Sequence, residues 1–222
     1  MIYSPFGLGF LLLLALLFVV FVILIEVRIL AYAYRKIGVR PRYVVAVMLL
    51  SLIGSYVNIP LYRVRVSSVK PPEQVWMFGR VYVVPPATQR STSVVAINVG
   101  GGLIPILLSL YLAVKTRMFA RMAVGVLIVA LVVHSLARIV PGVGIAVPMV
   151  IPPLVAAGVA LLLAFRRAPP VAYVAGSMGT LLGADLWNLG RIAELGAPLV
   201  SIGGAGTFDG IFLTGIIAGL LA

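Results

Sequence analysis

Long apolar runs, broken by short basic turns and by glycine- and proline-rich stretches, set the pattern of this chain. Residues 5–25 carry no charge. A helix rising 1.5 Å per residue needs about 20 residues to cross about 30 Å of hydrocarbon. On that measure the pattern predicts seven membrane-crossing helices, over about 5–30, 43–61, 94–114, 119–139, 143–165, 169–189 and 197–222. The polar stretch between them, 62–93, reads differently. YRVRVSSV and FGRVYVV alternate apolar and polar positions on either side of Lys70-Pro71-Pro72-Glu73. Period-two alternation around a proline-rich break predicts a small extramembrane β-hairpin or cap. The expected fold is an all-α membrane protein, a single integral domain over 1–222 with a small extramembrane hairpin or cap at 62–93.

Composition agrees. The chain is 63% hydrophobic and 10% charged, against roughly 25% charged in soluble proteins, and its mean hydropathy is +1.21. The first run is longer than a signal-peptide core of about 7–15 residues and lacks a basic leader and a small-residue cleavage site, so it is expected to remain as a helix. The net charge of +12 does not point to nucleic acid, because the basic residues fall at helix ends and in loops, where they meet anionic lipid head groups. Placing the N-terminus outside puts Arg35, Lys36, Arg40, Arg42, Lys115, Arg117, Arg121, Arg166 and Arg167 on the cytoplasmic side. The other side receives Arg63, Arg65, Lys70, Arg80, Arg90, Arg138 and Arg191, mostly in one long loop whose charges count for less. The expectation is N-terminus out, C-terminus cytoplasmic, with the bilayer as constant partner and an oligomer left open. There is no cysteine, which removes disulfides and thiolate metal sites. No metal or cofactor is expected.

An ionisable residue within a membrane span must face a bundle interior or water. Glu26 and Arg28 lie near the end of the first span and read as interfacial or paired. His134, the sole histidine, reads as an interhelical hydrogen-bond partner. Asn58 and Asn98 sit near glycine and proline and read as partners for freed backbone groups. Arg191 and Glu194 read as a solvated pair in a turn. Asp185 and Asp209 remain, the only aspartates of the chain. Asp185 is near the end of the sixth span, with Asn188 three residues on. Asp209 lies in the last span, inside GGAGTFDGIFL, and its plain reading is the N-cap of a helix starting at Gly210.

Two carboxyls within hydrogen-bond range cannot both ionise freely. Repulsion and desolvation raise one pKa and lower the other, leaving a protonated acid beside an ionised base. Such a pair hydrolyses an amide without metal or covalent intermediate, the base activating water and the acid protonating the carbonyl oxygen. No G-x-S-x-G elbow occurs to support a serine mechanism. For the pair to meet on adjacent spans, Gly203-Gly204-Ala205-Gly206 must be unwound or 190–202 must stay near the surface.

Ala184-Asp185-Leu186-Trp187-Asn188-Leu189 and Gly206-Thr207-Phe208-Asp209-Gly210-Ile211-Phe212 resemble the two aspartate motifs of the intramembrane aspartyl proteases, the presenilins and signal peptide peptidases. GIFLTGIIAGLLA after Asp209 is similar to the corresponding stretch of signal peptide peptidases. The resemblance implies Asp185 and Asp209 as catalytic pair. It also implies that Gly203, Gly204, Gly206 and Gly210, with Asn188, border a transmembrane peptide substrate. The chain departs from those motifs in having alanine for the tyrosine before the first aspartate, and two residues rather than one between glycine and the second. The proline-alanine-leucine motif of the last span is absent. Over its full length the chain resembles an uncharacterised prokaryotic family of polytopic membrane proteins.

A second function class stays open. SLIGSYVNIP (51–60) echoes TLLGADLWNL (180–189), and NVGGGLIPILL (98–108) echoes GTFDGIFLTGI (206–216). Broken helices at matching places in two halves can mark a transporter. In that reading Asp185 and Asp209 couple protons or cations while Asn58 and Asn98 line helix breaks. A non-enzymatic assembly or lipid-binding protein is the third.

Overall fold

The computed structural model describes residues 7–69, 73–77, 80–84, 88–140, 144–191, 197–204 and 210–222. Among them lie seven α-helices: α1 Gly7–Lys36, α2 Pro41–Gly54, α3 Ile104–Thr116, α4 Phe119–Leu136, α5 Ile151–Ala164, α6 Ala168–Thr180 and α7 Gly210–Leu221. Proline occupies the first turn of α2, α3, α5 and α6, where its missing N–H is no loss and its fixed φ suits a helix. Among the described residues four stretches are long and apolar enough to cross a membrane: Gly9–Lys36, Val99–Thr116, Phe119–Leu136 and Ile151–Arg191. The last contains α5 and α6, which pack against each other across a turn at Phe165–Arg167. Length and apolarity together make this a membrane protein.

Helix α6 is the hub, packed on α4, α5 and α7 and buried almost all round. It is rich in small residues, which let backbones approach where lipid supplies no hydrophobic drive between helices. A Cβ at Gly179 would crowd Val129 of α4, and one at Gly176 would press on Thr214 of α7. By contrast α1 buries only its last turns, through Ala33 and Tyr34.

Strands β1 Asn58–Val69, β2 Glu73–Met77, β3 Arg80–Val84 and β4 Thr88–Asn98 fill the region expected as a hairpin. β1 and β4 pair antiparallel from Asn58↔Asn98 to Val69↔Thr88, while β2 and β3 form their own antiparallel pair. The register slips between Pro60 and Tyr62, where proline has no N–H to give the ladder. Short strands β5 Arg138–Val140 and β6 Gly144–Ala146 pair beyond α4. The last strand, β7 Leu199–Ile202, joins β4 in parallel, giving the order β1-β4-β7 with β7 at an edge.

The strands correct five expected spans: β5 takes the end of 119–139, and β6 lies at the start of 143–165, whose helix begins at Ile151. The span at 43–61 ends as a helix at Gly54, 94–98 is strand rather than the start of a helix, and 199–202 is strand before α7. Pro60 cannot sit inside a helix without breaking it, and Val94-Val95-Ala96-Ile97 is as apolar as a membrane helix but β-branched. Consequently α2 has 14 residues and α7 has 12, about 21 and 18 Å at 1.5 Å per residue.

The basic turns share one end of the bundle. Lys36 Nζ donates to Leu220 O at 2.7 Å, tying the end of α1 to the end of α7. Lys115 Nζ donates to Gly38 O, tying α3 to the α1–α2 turn. Arg117, Arg121 and Arg167 line a common concavity between the α3–α4 and α5–α6 turns. Helix α6 leaves this end at Ala168, so Asp185 lies about 25 Å further along at helical rise.

Candidate functional site

Asp185 ends a π-helical turn, Leu181–Asp185, that continues α6 and passes into a 3-10 segment, Leu186–Arg191. Single π-turns inside helices are rare and recur at functional sites. A second such turn, Val99–Leu103, follows β4 and opens α3. Gly203 ties the two together. Its N–H donates to Asp185 Oδ2 at 3.3 Å. Its own φ is +68°, and a Cβ there would lie 2.5 Å from Gly102 N in the second π-turn. Only glycine meets both demands.

Asp185 is half-buried. It lines a cavity of about 300 Å³ with Thr180, Thr214, Gly210, Ile145 and Pro152 among the other walls. Thr180 Oγ1 is buried without a hydrogen-bond partner among the described residues. Among the described residues its walls are mainly apolar, with one carboxyl-bearing residue, Asp185, and two threonines.

The π-turn is braced from behind. Asn188, buried, donates through Nδ2 to Ala184 O at 2.8 Å and Gly183 O at 3.2 Å. His134 Nδ1 lies 3.2 Å from Gly183 O, and the His134 ring meets Trp187 edge-on with centroids 5.4 Å apart. Freed carbonyls of a π-turn need donors, and these side chains supply them. His134 is thus the interhelical partner its sequence position suggested. Asn188 serves the backbone of the turn.

A second network fixes the approach to Gly203. Asn98 Nδ2 donates to Ser55 O at 2.7 Å and to Asn58 Oδ1 at 3.1 Å, while Asn98 Oδ1 accepts from Gly101 N at 2.9 Å. Ser201 Oγ of β7 donates to Asn58 Oδ1 at 2.6 Å. Asn58 and Asn98 are thereby committed to each other and to the backbone, locking the ends of β1, β4 and β7 beside the π-turn.

Of the residues singled out by sequence, the structure brings Asp185 and Gly203 into contact and sets Gly210 on the same cavity. Gly204 lies against Ser201. Asp209, Gly206 and Glu194 lie outside the described residues. The threonines were missed. Thr180 stands five residues before Asp185, a spacing that only an i→i+5 turn brings to one side, and Thr214 stands four after Gly210, on one helical face.

No curated protein matches this chain, and no solved structure does. The profile of one family, described as "Protein of unknown function (DUF1614)", matches residues 52–221, a stretch that holds both aspartates, both π-turns and the whole sheet. Because that match spans more than half of the chain, the protein belongs to the DUF1614 family.

Proposed function

We propose that this protein is an intramembrane aspartyl hydrolase, cleaving peptide bonds of membrane-embedded substrates through Asp185 and Asp209. The supporting observation is the environment of Asp185. Its carboxylate is held by Gly203 at the end of edge strand β7 and opens onto a cavity that Gly210 also lines. Gly210 follows Asp209 directly in the chain.

In this reading the ionised carboxylate takes a proton from water as its oxygen attacks the peptide carbonyl carbon, and the protonated carboxyl gives its proton to the carbonyl oxygen. The resulting gem-diol collapses as the amide nitrogen receives a proton and the C–N bond breaks, leaving a carboxylic acid and an amine. The outer edge of β7 offers backbone groups on which an extended substrate can add as a strand, directly before the carboxyl. We further read all seven helices as membrane segments, with the N-terminus outside and the basic end cytoplasmic, following the positive-inside rule.

The second reading, a proton- or cation-coupled transporter, draws on a different observation. β4 and β7 lie parallel and side by side, each leading through a glycine-rich segment to an apolar helix, α3 or α7. The asparagines of that reading are already committed to backbone and to each other.

The two readings separate in reconstituted liposomes. Purified protein is incubated with a panel of single-span peptides, alongside Asp185→Asn and Asp209→Asn. Hydrolysis predicts cleavage by the wild type and its loss in each variant. Wild-type protein that leaves every peptide intact yet moves protons or cations in an Asp185-dependent way rules the hydrolase out.

A further inference from the structure

The far end of the bundle from Asp185 carries a different chemistry. Segments 35–42, 115–121, 165–169 and 217–222 contain nine lysines and arginines and no acid. Three of the nine converge. Arg117 follows α3, Arg121 lies in the first turn of α4, and Arg167 sits between α5 and α6, and together they line one concavity of about 390 Å³.

The two lysines of this end are used inside the protein, Lys36 on Leu220 O and Lys115 on Gly38 O. The three arginines are not. Among the described residues none of their guanidinium groups donates a hydrogen bond to a protein acceptor or pairs with an acid, although the backbone N–H of Arg117 closes α3 on Ala113 O. Three arginines without a protein partner for their guanidiniums line one hollow; their like charges repel, and that arrangement is stabilised when an anion occupies it. The hollow also includes Phe119 and Ala120, the first residues of α4. That helix has no side-chain cap at Met118, so its first N–H groups and the positive end of its dipole add to the same field.

Arg117 adds an independent indication. Its φ is +55°, and it is the one non-glycine with positive φ among the described residues. A helix commonly ends with glycine in this left-handed conformation. Here an arginine that lines the concavity occupies it, where glycine would be conformationally easier.

We propose that Arg117, Arg121 and Arg167 form a phosphate-binding site at the basic end of the bundle. Guanidinium forks match phosphate oxygens two at a time. A flat basic surface would hold a diffuse layer of anions; a hollow lined by three arginines and a helix start can hold one group in register. The site stands at the end of membrane helices, at the level of lipid head groups, so an anionic phospholipid such as phosphatidylglycerol is the matching source, and a soluble phosphate ester offers the same chemistry. The site is independent of the reading given to Asp185.

The test is native mass spectrometry of the full chain in detergent, titrated separately with phosphatidylglycerol, phosphatidylcholine and inorganic phosphate. Wild-type protein is expected to retain phosphatidylglycerol over phosphatidylcholine. The triple variant Arg117→Gln, Arg121→Gln, Arg167→Gln is expected to lose roughly a hundredfold in that affinity, from about fivefold for each cation near an anionic head group. A control, Arg35→Gln, Arg40→Gln, Arg42→Gln, removes equal charge from the same end and should retain most of the binding. Arg167→Lys keeps charge without the fork and should lose several-fold, which reads the site even if the triple variant does not fold. Competition by inorganic phosphate at millimolar concentration assigns a soluble ester as the source, and indifference to it assigns the lipid. Equal losses in both triple variants, or no loss at the three arginines, overturn the proposal.

Discussion

Gly203 reaches Asp185 Oδ2 with its N–H while holding its own backbone at φ +68°, wedged against Gly102. The contact that positions the carboxylate thus depends on a conformation and a clearance that only glycine has. Three segments far apart in the chain, the α6 extension, the end of β7 and the π-turn before α3, are joined at that point.

Gly203→Ala should therefore cost more than an ordinary surface change. A left-handed alanine carries about 1–2 kcal/mol of strain, and overlap with Gly102 adds to it. Thermal unfolding in detergent, followed by tryptophan fluorescence, measures the loss. A variant within about 0.5 kcal/mol of wild type, the range of neutral surface substitutions, shows that the contact does not constrain this region.

Gly100 offers a paired comparison with Gly158. A Cβ at Gly100 would run into Ser51 O, where the π-turn crosses the end of α2 backbone to backbone. Gly158 lies on α5 with nothing near a Cβ. Gly100→Ala should destabilise by about 1–3 kcal/mol through overpacking. Gly158→Ala should stabilise by about 0.5–1 kcal/mol by removing a helix-interior glycine. Opposite shifts in the unfolding midpoint are the expected result; shifts of one sign contradict the crossing.

Asn188→Ala removes the side-chain donor of Ala184 O and leaves Gly183 O with His134 Nδ1 alone, at about 1–3 kcal/mol for a buried group left unsatisfied. Asn188→Asp should be worse, since a carboxylate has no proton to donate and sets negative oxygen against carbonyl oxygen. Hydrogen exchange of the 181–185 amides, together with unfolding midpoints, should rank wild type above alanine and alanine above aspartate. The reverse order of the two variants would mean that Asn188 is not acting as a donor.

Arg117→Gly should separate stability from binding. Relief of a left-handed arginine is worth up to about 1 kcal/mol once the entropy of the added glycine is allowed for. The variant is expected to unfold at the same temperature or higher in zwitterionic detergent while retaining less phosphatidylglycerol. A lower midpoint with lipid retention unchanged would count against both expectations.

Much of this was legible in the sequence because hydropathy reports burial in lipid directly. Helices α1 and α4, and the α5–α6 pair, follow from runs such as Phe10–Ile25 and Val124–Val133. The strands were harder. Val94-Val95-Ala96-Ile97 and Leu199-Val200-Ser201-Ile202 are short apolar runs, which periodicity cannot assign, and their pairing joins residues more than a hundred positions apart. Glycine density around 203 signalled unwinding, which Gly203 and Gly204 show. Thr180 remained hidden because α-helical spacing separates it from Asp185, and only the π-turn aligns them. Asp209 stood out as an acid in an apolar run, and its place lies outside the described residues.

The parallel union of β4 with β7 has a consequence for biogenesis. A ribosome delivers β4 and six helices, α1 to α6, well before Leu199–Ile202 emerges. Until then Asp185 lacks the Gly203 amide, and the chamber lacks the wall supplied by Gly210 and Thr214. Closing so distant a contact is slow compared with pairing neighbouring helices. The nascent protein therefore passes through insertion with its carboxyl site unassembled, and whatever chemistry that site performs is withheld until the final strand is in place.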